Sequence, residues 1–149
     1  MLIIKRMALL VLLGVTSVLA NAQCGKNIKL VTDKVYQFKA DSSEGETLPV
    51  SGNIRLFKDS IFVSMLWQSG ETTEVRGSNT ETICKMNGDY KEGRIDIKSD
   101  AEIKANGQTH KGKMLFNVLS KDGKIKIYAV PENENEKICF AIKEWQEIK

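Results

Sequence analysis

The side chains able to do acid-base, nucleophilic or metal chemistry are few and poorly grouped. The chain has one histidine, His110, in the polar stretch Gln108-Thr109-His110-Lys111-Gly112-Lys113. A single imidazole excludes a histidine-rich metal site, and any Ser-His-Asp or Cys-His arrangement would have to use it. An exposed histidine at the start of a polar strand is the simpler account. Three cysteines, Cys24, Cys84 and Cys139, allow one intrachain bridge and leave one thiol over. None belongs to a C-x-x-C pair, so neither a thioredoxin-like redox centre nor a cysteine zinc site is supported. Cys84 and Cys139 fall in strand-like segments, Thr80–Met86 and Lys137–Ile142, whereas Cys24 lies near the N-terminus. The expectation is therefore a Cys84–Cys139 disulfide, with two separately buried thiols as the alternative.

Nineteen carboxylates are available, and two of them ~5–10 Å apart would suffice for glycoside hydrolysis. Most, however, alternate with basic residues or sit in turns, where solvation explains them. The acidic stretches Asp41–Glu46 and Glu132–Glu136 offer oxygen ligands, but neither has the spacing of an EF-hand loop. The phosphate-binding patterns G-x-G-x-x-G and Walker A are absent, as is the nucleophile elbow G-x-S-x-G. No catalytic residue, metal ligand or cofactor is assigned.

Charge argues against nucleic acid. The chain has 22 Lys plus Arg against 19 Asp plus Glu, but Lys5 and Arg6 belong to a segment read as removable. That leaves 20 basic and 19 acidic residues, which interleave instead of forming a stripe, and only ten aromatics. The removable segment is residues 1–22: Lys5-Arg6, an apolar run from Met7 to Val15 continued by Val18 and Leu19, then Ala20-Asn21-Ala22. A charged start, an apolar stretch of ~7–15 residues and an A-x-A site define a secretory signal peptide. Cleavage is expected after Ala22, leaving a secreted or periplasmic domain of residues 23–149. Gly14, Thr16 and Ser17 interrupt the apolar run, which is short of the ~20 residues a spanning helix needs. No later stretch is apolar enough to span. Gln23 before Cys24 departs from the small residue that precedes a lipidated cysteine in bacterial lipoproteins.

The mature region must be organised by strands. Ile95, Ile97, Ser99, Ala101 and Ile103 alternate with Asp96, Lys98, Asp100, Glu102 and Lys104, the period-two pattern of a strand with one dry and one wet face. Ile54–Phe57 and Ile61–Trp67 flank Lys58-Asp59 as a hairpin. Lys111–Ser120 and Lys124–Val130 flank a turn with Asp122-Gly123, a strong hairpin signal. Asn87-Gly88 and Asn106-Gly107 mark further turns. The ends are ambiguous: Lys26–Lys39 fits strand or helix, and Trp145 with Ile148 suggests a final helical turn. Eight to ten strands without intervening helices predict an all-β antiparallel meander, most simply closed into a small barrel that leaves no edges. A two-layer sandwich is the alternative, since Met114–Leu119 is apolar on both faces.

In a barrel, one parity points inward: Ile54, Leu56, Ile61, Val63, Met65, Trp67, Ile95, Ile97, Met114, Phe116, Ile125, Ile127, Ile138, Phe140 and Ile142. Such an interior is either a filled core or the lining for one small apolar ligand. Trp67, Met65, Met114, Phe116 and Phe140 are the candidate ligand-binding side chains. Phe62, Leu66, Leu115, Leu119 and Tyr128 fall on the outer parity, where an exposed patch would serve a protein partner.

The plan of an exported, meandering domain of this size resembles that of lipocalin-type barrels. Lipocalins carry a G-x-W near the first strand, and Gly52-Asn53-Ile54 has Ile where that Trp belongs. No binding residue is therefore carried over. The expected function is a non-enzymatic exported barrel binding a small hydrophobic ligand or a protein partner. The alternatives are an envelope hydrolase using paired acids and an inhibitor or adhesion module.

Overall fold

The computed structural model describes residues 24–39 and 45–149. The signal-peptide reading of residues 1–22, the cleavage site and most of the acidic stretch Asp41–Glu46 lie outside the described residues. The described chain is all-β and forms nine strands in sequence order. They are β1 (Ile28–Lys39), β2 (Glu46–Thr47), β3 (Val50–Leu56), β4 (Ser60–Trp67), β5 (Thr72–Met86), β6 (Gly93–Ala105), β7 (Gln108–Lys121), β8 (Lys124–Pro131) and β9 (Glu136–Glu147). Every pairing is antiparallel, and β1 pairs with both β3 and β9. Eight strands thus close into a barrel, with the two-residue β2 lying outside against β1. Closure, not a sandwich, is how the sheet buries its apolar face.

The alternation read in the sequence is the alternation of burial. Along β6, Ile95, Ile97, Ser99 and Ala101 are buried while Lys98 and Asp100 are exposed. Ile54, Leu56, Ile61, Val63, Met65, Ile125, Ile127, Phe116 and Phe140 meet in one core. Two hairpins turn as their sequences require: Asn106 and Asp122 both have φ of 52°, and Gly107 and Gly123 follow at 73° and 74°. Two successive positive φ values give the turn a twist that matches the flanking strands.

Both ambiguous ends are strands. Lys26–Lys39 becomes β1 because Ile28, Leu30 and Val35 all point inward. The spacing that mixed two periods comes from paired bulges: Thr32 lies opposite Ile142 and Val31 opposite Glu144, while Lys34 lies opposite Ala141. Lys143 and Asp33 are the extra residues, one on each strand. The bulge on β9 also puts Trp145 back on the inner face, against the core. The expected C-terminal helical turn is therefore absent, because three-residue spacing across a bulge imitates a helix. At the β1 bulge, Thr32 is 8% exposed and its hydroxyl accepts from Gly52 N at 2.8 Å and donates to Gly52 O at 3.0 Å. It thus continues the β1–β3 ladder where backbone pairing ends at Val31 and Asn53.

The two ends of the barrel differ. The chain start, the C-terminal end of β9, the β3–β4 turn and the loop Asn87–Glu92 gather at one end. There the loop folds under the barrel. The Asn87 side-chain oxygen accepts from the amides of Lys91 and Glu92, and Lys91 O accepts from Gly123 N. Tyr90, at φ 55°, is 2% exposed and its ring lies 4.8 Å from that of Trp145. Its carbonyl accepts from the Ser120 hydroxyl. Desolvation, and then the nearby Glu147 carboxylate, raise its phenol above the ordinary tyrosine range. This end is a plug.

The disulfide differs from the one expected. Cys84 is bonded to Cys24, with Cα atoms 6.0 Å apart, and Cys139 is a buried free thiol. The reason lies in position: Cys84, opposite Ile95 on β6, is on the core side near the plugged end, where the chain begins. Cys139 belongs to the outer parity of β9, between Tyr36 of β1 and Tyr128 of β8, and the barrel wall separates it from Cys84.

Candidate functional site

The opposite end is open. A cavity of about 350 Å³ lies there, with a floor formed by Val63, Met65, Val75, Met114, Phe116 and Phe140. The periodicity of four strands supplies these side chains, because β4, β5, β7 and β9 all direct the same parity into the barrel. Its volume is at the small end of the ~300–1,000 Å³ typical of ligand pockets. Nearer the mouth the lining becomes polar, with Gln37, Thr73, His110, Lys111, Lys113, Glu134 and Glu136. Gln37 Nε2 donates to the Glu136 carboxylate, which ties β1 to β9 at the rim.

Strand stagger produces the opening. The β7–β8 ladder ends at Met114 opposite Pro131, whereas the β6–β7 ladder continues to Gln108. Gln108–Lys113 therefore has β6 on one side, and past Glu132 N, which donates to Lys113 O, the β8–β9 loop diverges. Gly112 stands in this gap on the inward parity of Met114 and Phe116. A Cβ built on it would meet no atom within 4 Å.

Four of the five side chains singled out in the sequence, Met65, Met114, Phe116 and Phe140, are brought together on this one cavity. Trp67 is not. It borders a separate surface groove with Leu48, Pro49 and Leu66, and its indole Nε1 donates to Thr73 Oγ1 at 3.0 Å, bracing a cavity-lining residue from behind. Gly112, Gln37, Glu134 and Glu136 were missed as site residues. Only the register that leaves β7 and the β8–β9 loop unpaired brings them together, and no local pattern signals it.

Glu134 and Glu136 share the mouth, but Glu136 is held by Gln37. The cysteine and tyrosines whose protons are held more tightly by burial, Cys139, Tyr90 and Tyr128, all lie away from the cavity. Among the described residues no group of three or more His, Cys, Asp or Glu side chains could hold a metal ion. No helix of the described residues is long and apolar enough to cross a membrane.

On the outer wall, Phe62 is covered rather than displayed, with the Arg55 and Arg76 guanidinium groups 5.9 Å and 5.6 Å from its ring centre. Leu66 is 52% exposed. Phe38 and Tyr128 share the Lys137 ammonium, 5.6 Å and 5.3 Å from their ring centres.

No protein-family model, curated protein or solved structure matches the chain. The class of the molecule, a small closed antiparallel barrel consistent with the lipocalin plan, rests on its strand order and closure.

Proposed function

We propose that this is an exported, non-enzymatic barrel that holds one small, mainly apolar molecule in its open end. The observation that carries the reading is the division of the interior. Tyr90 plugs one end with a filled core above it, while about 350 Å³ stays open at the other over an apolar floor. A barrel needing only a core would gain by filling both halves, since side chains that line an open space forgo packing contacts on that side. The polar rim of His110, Lys111, Lys113, Glu134 and Glu136 suits a ligand whose far end stays in water.

Export is supported by the leader-like residues 1–22 and by a disulfide, which persists in oxidising compartments. A Cys24 sulfur held in a disulfide also cannot carry the thioether of a lipoprotein. Outward residues such as Lys98, Asp100 and Glu102 on β6 suit water and would be costly on a lipid-facing wall.

The test is titration with N-phenyl-1-naphthylamine, an uncharged probe that fluoresces when buried. Saturable one-site binding is expected, with loss of binding in Gly112→Phe, which blocks the gap, and in Met114→Trp, which fills the floor. Circular dichroism should show both variants folded, since position 112 has room for a side chain. Absence of saturable binding up to the solubility of the probe, or binding indifferent to both substitutions, sinks the ligand reading.

A further inference from the structure

The closed barrel still has an unpaired strand edge. The β4–β5 ladder stops at Ser60 opposite Ser78, whereas β5 continues along β6 to Met86 opposite Gly93. One last bond, Asn79 N to Asp59 O, closes the upper side. Below it, Thr80 bulges out of the β5–β6 ladder, and Glu81–Met86 pairs with β6 alone among the described residues. This is six residues of open edge, as long as an average strand of about 5–6.

Such edges invite pairing with another chain, and proteins usually blunt them with Pro, inward charges or one-sign Lys. Along Glu81–Met86 there is no Pro and no inward charge, and the one β-bulge, at Thr80, stands at the upper end of the edge and leaves these six residues regular. The inward-side Cys84 is braced by its disulfide to Cys24, and the centre of the outer row, Ile83, is 49% exposed. Glu81 and Lys85 stand two residues on either side of Ile83. An antiparallel strand laid on this edge by a two-fold axis through Ile83 sets Ile83 against Ile83. It also sets Glu81 of each copy opposite Lys85 of the other. The sequence is thus its own charge complement in that one register.

We infer that the exported protein forms a two-fold dimer by pairing Glu81–Lys85 of β5 with the same segment of a second copy. The sheet then runs unbroken from one β6 to the other, and the open mouths remain free. The inference stands apart from the ligand reading, because the edge shares no residue with the cavity floor.

Sedimentation velocity over a wide concentration range, on the mature chain and two charge variants, tests it. The unmodified chain is expected to dimerise reversibly. Glu81→Lys and Lys85→Glu each put like charges in opposition twice per dimer and should weaken self-association by about tenfold or more. Mixing the two variants restores opposite charges at both positions, and the mixture is expected to form a heterodimer at concentrations where neither variant associates alone. Glu81→Lys also removes the ion pair of Glu81 with Lys98, but the mixture controls for this, since the same chain must then associate. A chain that is monomeric at every concentration overturns the inference. So does a dimer that ignores the single substitutions, or a mixture that stays monomeric.

Discussion

A thiol that is 1% exposed reacts as its surroundings allow, and Cys139 lies on the outer face of β9 in contact with Tyr128. Burial is the largest influence on it and raises its pKa; the Tyr128 hydrogen bond and the ammonium groups of Lys126 and Lys137 pull the other way without prevailing. Tyr128 is raised in turn, by desolvation first and then by Cys139. Folding therefore holds both protons more tightly than the unfolded chain does. Stability from these groups is complete below their unfolded pKa values and declines as pH rises through the folded ones. The unfolding midpoint in urea is expected to fall from about pH 8.5 upward, where an unfolded thiol ionises. Cys139→Ala should flatten the first part of that decline. Native protein should resist thiol reagents at neutral pH and yield one reactive thiol per chain once unfolded without reductant; two or three would contradict the Cys24–Cys84 pairing.

Among the elements, the β5–β6 connection needs the most particular backbone. Gly93 opens β6 at φ 137°, and a Cβ there would lie 2.4 Å from Lys85 O and 2.6 Å from Met86 Cα. Neither backbone atom can yield without moving β5. Gly93→Ala is expected to cost about 3 kcal/mol, measured by urea unfolding, with the Tyr90 plug loosening at the same time. A cost under about 0.5 kcal/mol, the scale of neutral surface changes, would show that the strands do not meet so closely. The sequence made β6 and the 121–124 hairpin easy to read, because unbroken alternation and Asp-Gly are local signals. It concealed β1 and the end of β9, where two bulges break the period. Five of the six floor residues of the cavity, all but Val75, were legible as inward-facing apolar side chains. Trp67 shares their parity, but lies at the rim, where the indole N–H finds Thr73. The Cys24 partnership was illegible for a different reason: proximity to the N-terminus says nothing of where that end is anchored.

For the molecule as a whole, the Cys24–Cys84 bond spans 60 residues and ties the chain start to the middle of the meander. In the chain-entropy model a loop of that length is worth about 4 kcal/mol. The double variant Cys24→Ala/Cys84→Ala should lose about that much unfolding free energy, while keeping the barrel's circular dichroism spectrum. A loss well below about 1 kcal/mol would mean that the unfolded chain gains little freedom when the link is cut.

The described chain enters and leaves the barrel beside the plug. Ile28 lies opposite Glu147, Ile148 N donates to Asn27 O, and Lys26 pairs with Glu147 at 3.3 Å. Topologically the polypeptide is nearly a ring. A short linker joining residue 149 to residue 24 would make it one, and the chain could then be cut at a turn beside the mouth, such as Asn106-Gly107. Anything attached at residue 24 or residue 149, in contrast, would sit on the far pole from the opening, so the barrel can be carried or immobilised at either point with its cavity facing away.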